Sequence, residues 1–395
     1  MLSKRALTIK PSPTLAVTAK AAQLKAEGKD IIGLGVGEPD FDTPQHIKDA
    51  AKKAIDAGFT KYTNVGGTPG LKNAVITKLK RDNGLDYKPN EVVVGVGGKQ
   101  CIFNLALATI DEGDEVIIPA PFWVSYADII EIAGGTPVIV FAGIEQGFKI
   151  TPAQLEAAIT PATKMFMINS PSNPTGAVYT LEELKALGEV LLKHPKILVA
   201  TDDMYEHINL NDSKFVNILN ACPELKDRTI VLNGVSKAYS MTGWRIGFAA
   251  GPAKLIDTMT NLQSQSTSNP TSISQVAAEV ALTGDQECLK PMVKAFRERN
   301  EFVYNALNAC PTISSLKAEG AFYAFVDARK AITKLAAEGK IKAANDIELT
   351  AYLLDAGVAV VPGSAFGAEG YFRISIATSM ENLEKACDRI TKALG

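Results

Sequence analysis

Cysteine and histidine are scarce in this sequence, and neither follows a recognisable ligand pattern. Five cysteines and three histidines are spread over 395 residues without the spacing of a zinc or redox motif. Scattered cysteines of this kind suit thiols that stay reduced in the cytosol. The sequence therefore predicts no metal site and favours a cytoplasmic location.

Long apolar runs and an excess of either charge are also missing. No stretch of about eighteen apolar residues is present, and the first ten residues lack the apolar core of a signal peptide. The net charge is −2, so no surface for polyanions is indicated. The segment GVGG at 95–98 lacks the G-x-G-x-x-G spacing of a dinucleotide fingerprint, which disfavours a nicotinamide-dependent dehydrogenase. We therefore expect no membrane or nucleic-acid partner.

The sequence is rich in short apolar segments that alternate with helical ones. Seven of these segments are apolar throughout, which is typical of strands in a mostly parallel sheet with both faces covered. They span residues 91–96, 114–120, 136–141, 164–170, 197–203, 229–235 and 245–250. We therefore predict an α/β fold with a mostly parallel seven-stranded sheet between layers of helices. Functional residues of such sheets lie beyond the carboxyl ends of the strands.

One lysine lies between two apolar runs, among residues that favour a role as a nucleophile. In VLNGVSKAYSMTGWRIGF, residues 231–248, Lys237 is followed eight residues later by Arg245, and small or hydroxylated residues such as Ser236 surround both. A lysine amine condenses with an aldehyde once desolvation or a nearby cation has lowered its pKa. Lys237 is therefore predicted to be a nucleophile, with Arg245 available for a phosphate. Taken alone, the segment would also fit a surface lysine in a glycine-rich loop.

The segment SKAYSMTGWRIG at 236–247 resembles the cofactor-lysine segment of the class I pyridoxal-phosphate aminotransferases. The resemblance continues in LGVGEPDFDTP at 34–44, NSPSNPTG at 169–176 and FRISIATS at 372–379, and it is closest to the bacterial-type aspartate aminotransferases. It implies fold type I, pyridoxal 5'-phosphate as cofactor, and a homodimer with shared active sites. It also implies that Lys237 forms the Schiff base and acts as general base.

The family resemblance and a change of pattern near the long helix at 285–308 divide the chain into three parts. Residues 1–43 are expected to form an N-terminal arm and helix that pack with the smaller domain. Residues 44–290 are expected to form the large cofactor-binding domain, and residues 291–395 a small α+β domain.

Several candidate cofactor contacts follow the first strands. Gly97, Gly98 and Lys99 open a helix, and backbone N–H groups at a helix N-terminus bind phosphate, although a tight turn explains the glycines nearly as well. Trp123 follows the next strand and could stack on a pyridine ring or fill the core. The resemblance favours the ring and adds contact with substrate.

Later strand ends supply further candidates. The loop around Asn173 is stiffened by two prolines and a glycine, and the resemblance assigns the asparagine to the cofactor's phenolic oxygen and to substrate. Asp202 ends a strand, and a carboxylate facing the ring nitrogen would keep it protonated and make the ring an electron sink. Asp203 is not excluded by spacing, but the D-x-x-Y pattern with Tyr205 assigns the role to Asp202. Asp202 and Tyr205 are thus catalytic candidates, and Ser236 is a further cofactor contact.

Arg373 lies on the apolar strand YFRISIA, where a guanidinium is expected to have a partner other than solvent. Its planar fork matches a carboxylate, and an interdomain salt bridge is the alternative. The resemblance assigns Arg373 to the substrate α-carboxylate, which the Gly37 backbone also approaches. It matches Tyr62 and Ser268 to residues that cross into the partner subunit's site, with the tyrosine reaching phosphate.

Two positions depart from the animal-type enzymes of this family. Gly234 stands where those enzymes have a serine on the phosphate, and Ser264 where they have an arginine for the distal carboxylate of the substrate. The bacterial-type subgroup uses other groups for this carboxylate, and it links a further lysine to prephenate. The counterparts of the carboxylate-binding groups in this sequence are Lys99, Ser12 and Thr14. The counterpart of the lysine linked to prephenate is Lys10.

The predicted function is transfer of the amino group of L-aspartate to 2-oxoglutarate, giving oxaloacetate and L-glutamate by a ping-pong mechanism. Prephenate is a further candidate substrate. Alternatives are an aminotransferase for aromatic amino acids or alanine, or a β-lyase or γ-elimination enzyme on the same fold. A non-catalytic regulator is disfavoured because no DNA-binding module precedes the arm in this sequence.

Overall fold

The computed structural model describes Leu2, Leu7, Ile9, Pro11 and residues 13–395. Its largest sheet, the large sheet, has seven strands, and one of them runs antiparallel to both neighbours while the others are parallel. In spatial order the strands are Val92–Gly95, Gly247–Ala250 (the antiparallel one), Thr229–Gly234, Leu198–Asp202, Thr163–Asn169, Glu115–Ala120 and Thr136–Phe141. The predicted mostly parallel seven-stranded sheet is confirmed.

Both faces of the large sheet are covered, which explains why its strands are apolar throughout. Successive side chains of a strand point to opposite faces. Val92 and Val94 belong to one hydrophobic cluster, whereas Val93 between them belongs to another. Because neither face meets solvent at these positions, no polar alternation marks the strand.

Helices pack on the sheets and connect the strands. In the part of the chain that the structure describes, no helix is both long and apolar enough to cross a membrane. The helices are Pro13–Ala26, Gln45–Asp56, Pro69–Lys78, Gly98–Thr109, Ser125–Ala133, Pro152–Ala158, Leu181–Leu192, Ile218–Ala221, Ala253–Ser264, Ser272–Thr283, Leu289–Asn308, Arg329–Ala337, Asp346–Asp355 and Met380–Leu394.

The helix Pro69–Lys78 shows how a local signal sets a helix start. It begins at Pro69 because the Thr68 side chain accepts a hydrogen bond from the Leu71 N–H and the proline occupies the first turn. It continues into Leu79–Asn83, a π-helical turn that ends at Gly84 in the left-handed conformation.

A second group of strands forms the small sheet, which is antiparallel. Its strands in spatial order are Val361–Pro362, Tyr371–Ser375, Tyr323–Asp327 and Ser314–Ser315. Beside it, Ile32–Gly33 pairs in parallel with Val358–Ala359, so an early segment of the chain joins a late one. The domain limits at residues 43 and 290 remain predictions.

Candidate active site

A cavity of about 290 Å³ lies where the carboxyl ends of the parallel strands meet residues of the small sheet. This is the position expected for a site in an open α/β sheet. Most of the residues predicted from the sequence line it together. They are Thr14, Gly37, Gly98, Lys99, Trp123, Asn173, Asp202, Tyr205, Ser236, Lys237, Arg245 and Arg373.

Lys237 lies in the turn that follows the strand Thr229–Gly234 and is partly buried. Its Nζ donates a hydrogen bond to the Gly37 carbonyl oxygen at 2.6 Å. Burial, together with the charges of Arg245 and Arg373, lowers the pKa of Lys237 to about 8 against the opposing charge of Glu38. The amine is therefore easier to deprotonate than that of an exposed lysine, as a nucleophile requires.

Asp202 and Asp203 are adjacent but have different surroundings. Asp202 lines the cavity, and its carboxylate accepts hydrogen bonds from the Tyr126 hydroxyl at 2.5 Å and the Met204 N–H at 3.2 Å. Burial raises the pKa of Asp202, and the hydrogen bond from Tyr126 opposes that rise. Asp203 does not line the cavity, and its carboxylate accepts from the Thr201 hydroxyl at 2.6 Å. Asp202 is therefore the carboxylate that can meet a ligand here.

The groups around Arg245 are suited to an anion. Gly97, with φ +81°, leaves space for the Arg245 guanidinium, because a Cβ there would collide with it. Gly98 begins the helix Gly98–Thr109, where unpaired backbone N–H groups and the helix dipole attract negative charge. Ser236 adds a buried hydroxyl. Together these groups could hold a phosphate.

Arg373 is 2% exposed, yet it has no carboxylate partner within salt-bridge distance among the described residues. Its guanidinium donates to the Asn173 side-chain oxygen at 2.8 Å and to the Gly35 carbonyl at 2.6 Å, while its Nε has no partner in the described part of the chain. The interdomain salt bridge considered as an alternative is thus not formed. Because an unpaired buried cation is costly, Arg373 is suited to an anionic ligand.

Lys99 and Trp123 lie together at the rim. Lys99 Nζ is 4.9 Å from the centre of the Trp123 ring, in a cation–π contact. Partial desolvation by the cavity wall lowers the pKa of Lys99, the charge of Arg245 lowers it further, and Asp128 opposes both. Thr14 lines the same cavity from the first helix. Trp123 also lines the cavity, so its ring is available to a ligand.

Other predicted residues are not brought to this cavity by a single chain. Tyr62 is 91% exposed, and Ser268 lies in a loop with φ +60°; neither lines the cavity. Ser264 is on a helix, where its hydroxyl donates to the Asn261 carbonyl. Lys10 and Ser12 lie outside the described residues.

Some cavity residues were missed by the sequence analysis. Tyr126 follows Trp123 by three residues and packs edge-to-face on its ring, so its spacing was a usable signal. Asn169 ends a strand, and its amide donates to the Asp202 carbonyl at 2.8 Å. Tyr323 lies inside the apolar segment YAFVDA and carried no signal of its own.

Comparison with known proteins agrees with this geometry. The family model for aminotransferase class I and II matches residues 29–390. An aspartate/prephenate aminotransferase from Nitrosomonas europaea is 66% identical over 394 residues, which cover 100% of this chain and 99% of that protein. An aspartate aminotransferase from Geobacillus stearothermophilus is 53% identical, with 98% of each chain covered.

Solved structures are similar over the whole chain. The aspartate aminotransferase from Rhizobium meliloti has a TM-score of 0.94 and 48% identity, covering 100% of this chain and 98% of that one. The aspartate aminotransferase from Thermus thermophilus, solved with maleate, has a TM-score of 0.93 and 42% identity, covering 100% of both chains. The resemblance found in the sequence is confirmed: the chain belongs to the class I and II aminotransferase family.

Proposed function

We propose that this protein is a pyridoxal-phosphate-dependent aminotransferase that transfers the amino group of L-aspartate to 2-oxoglutarate. One observation carries the proposal: a lysine with a lowered pKa, a buried carboxylate and a buried arginine without an acidic partner among the described residues line a single cavity. The relatives named as aspartate or aspartate/prephenate aminotransferases support the choice of substrate.

The residues present fit pyridoxal phosphate. Lys237 suits its aldehyde, Asp202 its ring nitrogen, and the group formed by Gly98, Ser236 and Arg245 its phosphate. When bound, this cofactor supplies an aldehyde for amine exchange and a ring that accepts electrons. Lys237 would hold the cofactor, yield its place to the substrate amine, and then take the proton from the substrate Cα as general base.

Substrate binding is assigned to groups on two sides of the cavity. Arg373 binds the α-carboxylate, and the backbone of Gly37 approaches the same group. Lys99 binds the distal carboxylate, with Thr14 and Ser12 adding hydrogen bonds from the first helix and the arm. Maleate, present in the Thermus thermophilus structure, is itself a dicarboxylate and supports a second cationic group. Lys10 extends the proposal to prephenate, a substrate that the Nitrosomonas europaea relative's name includes.

The proposal includes a cytoplasmic homodimer with shared active sites. Tyr62 is compatible with it, because the family resemblance matches it to a tyrosine that reaches the partner subunit's site, and at 91% exposure its side chain is free to do so. Ser268 would cross the same interface. The cysteines are unpaired, which fits a reducing compartment. The proposal also includes three parts of the chain. Residues 1–43 form an N-terminal arm and helix that pack with the small domain, residues 44–290 form the large cofactor-binding domain, and residues 291–395 form the small domain.

A visible spectrum tests the reaction type. The protein is reconstituted with pyridoxal phosphate, mixed with one equivalent of aspartate, and then with 2-oxoglutarate. We expect aspartate to convert the cofactor to its amine form and 2-oxoglutarate to restore the starting spectrum. Alanine and phenylalanine serve as comparison donors. Steady release of ammonia without conversion of the cofactor would instead identify a lyase.

A further inference from the structure

Two tyrosine hydroxyls meet where the large and small sheets adjoin. Tyr205 follows the strand Leu198–Asp202, and Tyr323 begins the strand Tyr323–Asp327. Their hydroxyl oxygens are 2.8 Å apart, and both side chains are buried, at 5% and 0% exposure. Both line the cavity. The small sheet therefore contacts the cofactor side of the site through this hydroxyl pair, in addition to the hydrogen bond from Arg373 to Asn173.

Tyr323 is held in place from two directions. In the small sheet Arg373 pairs with Phe325, so Tyr323 is its diagonal neighbour on the same face, and the guanidinium carbon lies 4.5 Å from the tyrosine ring centre. On the other side is Gly37, where a Cβ would lie only 2.8 Å from the Tyr323 hydroxyl. The hydroxyl thus fits only because residue 37 has no side chain.

The direction of the hydrogen bond follows from the surrounding groups. Arg373 has donors only, so the Asn173 side-chain oxygen must face it, at 2.8 Å. The Asn173 NH₂ therefore faces Tyr205 and donates to its hydroxyl, at 3.5 Å. If Tyr205 donated to Tyr323, the proton of Tyr323 would have no acceptor among the described residues, although this side chain is fully buried. Donation from Tyr323 to Tyr205 avoids this cost.

With that direction, Tyr205 accepts two hydrogen bonds and its own proton remains available to a ligand in the cavity. We infer that Tyr323 is a positioning residue that donates to Tyr205 and directs the Tyr205 proton to the phenolic oxygen of the cofactor. The inference rests on the proposed function, since it requires pyridoxal phosphate. Accepting from Tyr323 also polarises Tyr205 and makes it a stronger donor.

This arrangement has a measurable consequence at Lys237. The phenolic oxygen carries negative charge beside the Lys237 nitrogen and helps it to keep its proton. When Tyr205 stabilises that charge, the nitrogen loses its proton at lower pH. Weaker donation from Tyr205 should therefore raise the pH at which this nitrogen titrates, and the visible absorption of the bound cofactor reports that titration.

The test compares two tyrosine-to-phenylalanine changes in the small sheet. Tyr323→Phe, reconstituted with pyridoxal phosphate and without substrate, should titrate about half a pH unit higher than the wild type. The control is Tyr371→Phe, because Tyr371 is 1% exposed and its hydroxyl has no hydrogen-bond partner among the described residues. The control should titrate like the wild type. An unchanged or lower midpoint in Tyr323→Phe would overturn the inference.

A double-mutant cycle separates action through Tyr205 from a direct effect. In a Tyr205→Phe background, Tyr323→Phe should no longer shift the titration midpoint. An undiminished shift would show that Tyr323 does not act by positioning Tyr205. In Gly37→Ala the added methyl would displace the Tyr323 hydroxyl, so this variant should also raise the titration midpoint. It replaces Tyr323→Phe in the test if that variant does not fold. A wild-type protein without a pH-dependent visible band would overturn the proposed cofactor itself. A normal wild-type titration with unshifted variants would overturn only the role of Tyr323.

Discussion

The two walls of the cavity are built in different ways. On the large-sheet wall, Asp202 ends a parallel strand and Lys237 lies in the turn after the next one. On the small-sheet wall, Arg373 and Tyr323 lie within antiparallel strands and are almost fully buried. Turns at strand ends can carry reactive groups without disturbing the sheet. Polar groups within a buried strand must instead find hydrogen-bond partners, and the Nε of Arg373 has none among the described residues.

This difference suggests that the two walls have different functions. The large-sheet wall supplies the groups proposed to act on the cofactor, and the small-sheet wall supplies Arg373 for the substrate α-carboxylate and Tyr323 to align Tyr205. Changes on the first wall should therefore reduce the rate of the chemical step most. Changes on the second should affect substrate affinity and the tuning of the site.

The largest effect is expected at Lys237. Lys237→Ala removes both the amine that holds the cofactor and the general base, so turnover of aspartate with 2-oxoglutarate should fall by at least ~10³. Lys80→Ala, at an exposed lysine whose side chain is 59% accessible, is the control and should leave turnover unchanged. A near wild-type rate in Lys237→Ala would mean that another lysine holds the cofactor.

The neighbouring carboxylates provide the next comparison. Asp202→Asn should retain the cofactor but slow proton removal by about 10², because a neutral amide does not keep the ring nitrogen protonated. Burial raises the pKa of Asp203 and its side chain does not line the cavity, so Asp203→Asn should change the rate little. Single-turnover absorbance measures both. If Asp203→Asn were the slow variant, the roles of the two residues would be reversed.

Asp202 and Asp203 also show how much of the site could be predicted from the sequence. Asp202 and Lys237 were predictable because each follows a continuous apolar strand, and parallel strands end at one edge of a sheet. Strand ends alone could not separate Asp202 from Asp203. Adjacent residues point to opposite faces, and the side that carries a cavity depends on the packing of the whole domain. Only the D-x-x-Y resemblance favoured Asp202.

The small-sheet wall was harder to predict. Arg373 was detectable because a charge inside an apolar strand needs an explanation. Tyr323 reads as an ordinary core residue, and its partner Tyr205 is 118 residues away in the chain, so only the packing of the two sheets reveals the pair. The proposed placement of Tyr62 and Ser268 in a partner's site came from the family resemblance alone, because no pattern within one chain describes a second subunit.

A pH experiment tests whether the small-sheet wall contributes to the reactivity of Lys237. Below its pKa of about 8 the lysine is mostly a protonated ammonium, and capture of pyridoxal phosphate needs the neutral amine. The capture rate of the apoprotein should therefore rise about fifty-fold between pH 6 and pH 8 and level off above that. Arg373→Gln removes a charge that lowers the pKa of Lys237, so its profile should move to higher pH. A wild-type midpoint near that of a free lysine, about 10.4, would contradict the lowered pKa.

Substrate affinity should respond to the geometry of the guanidinium on the small-sheet wall. Arg373→Lys keeps the charge but loses the planar fork, so kcat/KM for aspartate should fall roughly twentyfold, mainly through KM. Arg299→Lys is the control, since Arg299 is also buried but forms a two-point ion pair with Asp40 away from the cavity. That variant should lose stability without a change in KM. Equal KM values for wild type and Arg373→Lys would exclude Arg373 as the carboxylate ligand.

The smallest effect is expected at the rim, where Lys99 is exposed. A cation there is screened by solvent and salt, so it should add less than the buried Arg373. A lysine is also a point charge on a flexible stem, which tolerates acids of different shape better than an arginine fork does. Lys99→Ala should therefore lower kcat/KM for aspartate about tenfold, less at high salt, and leave phenylalanine nearly unaffected. Lys99→Arg should retain most activity with aspartate. An equal loss for both amino acids would instead mean that Lys99 serves the cofactor and that the distal carboxylate binds elsewhere.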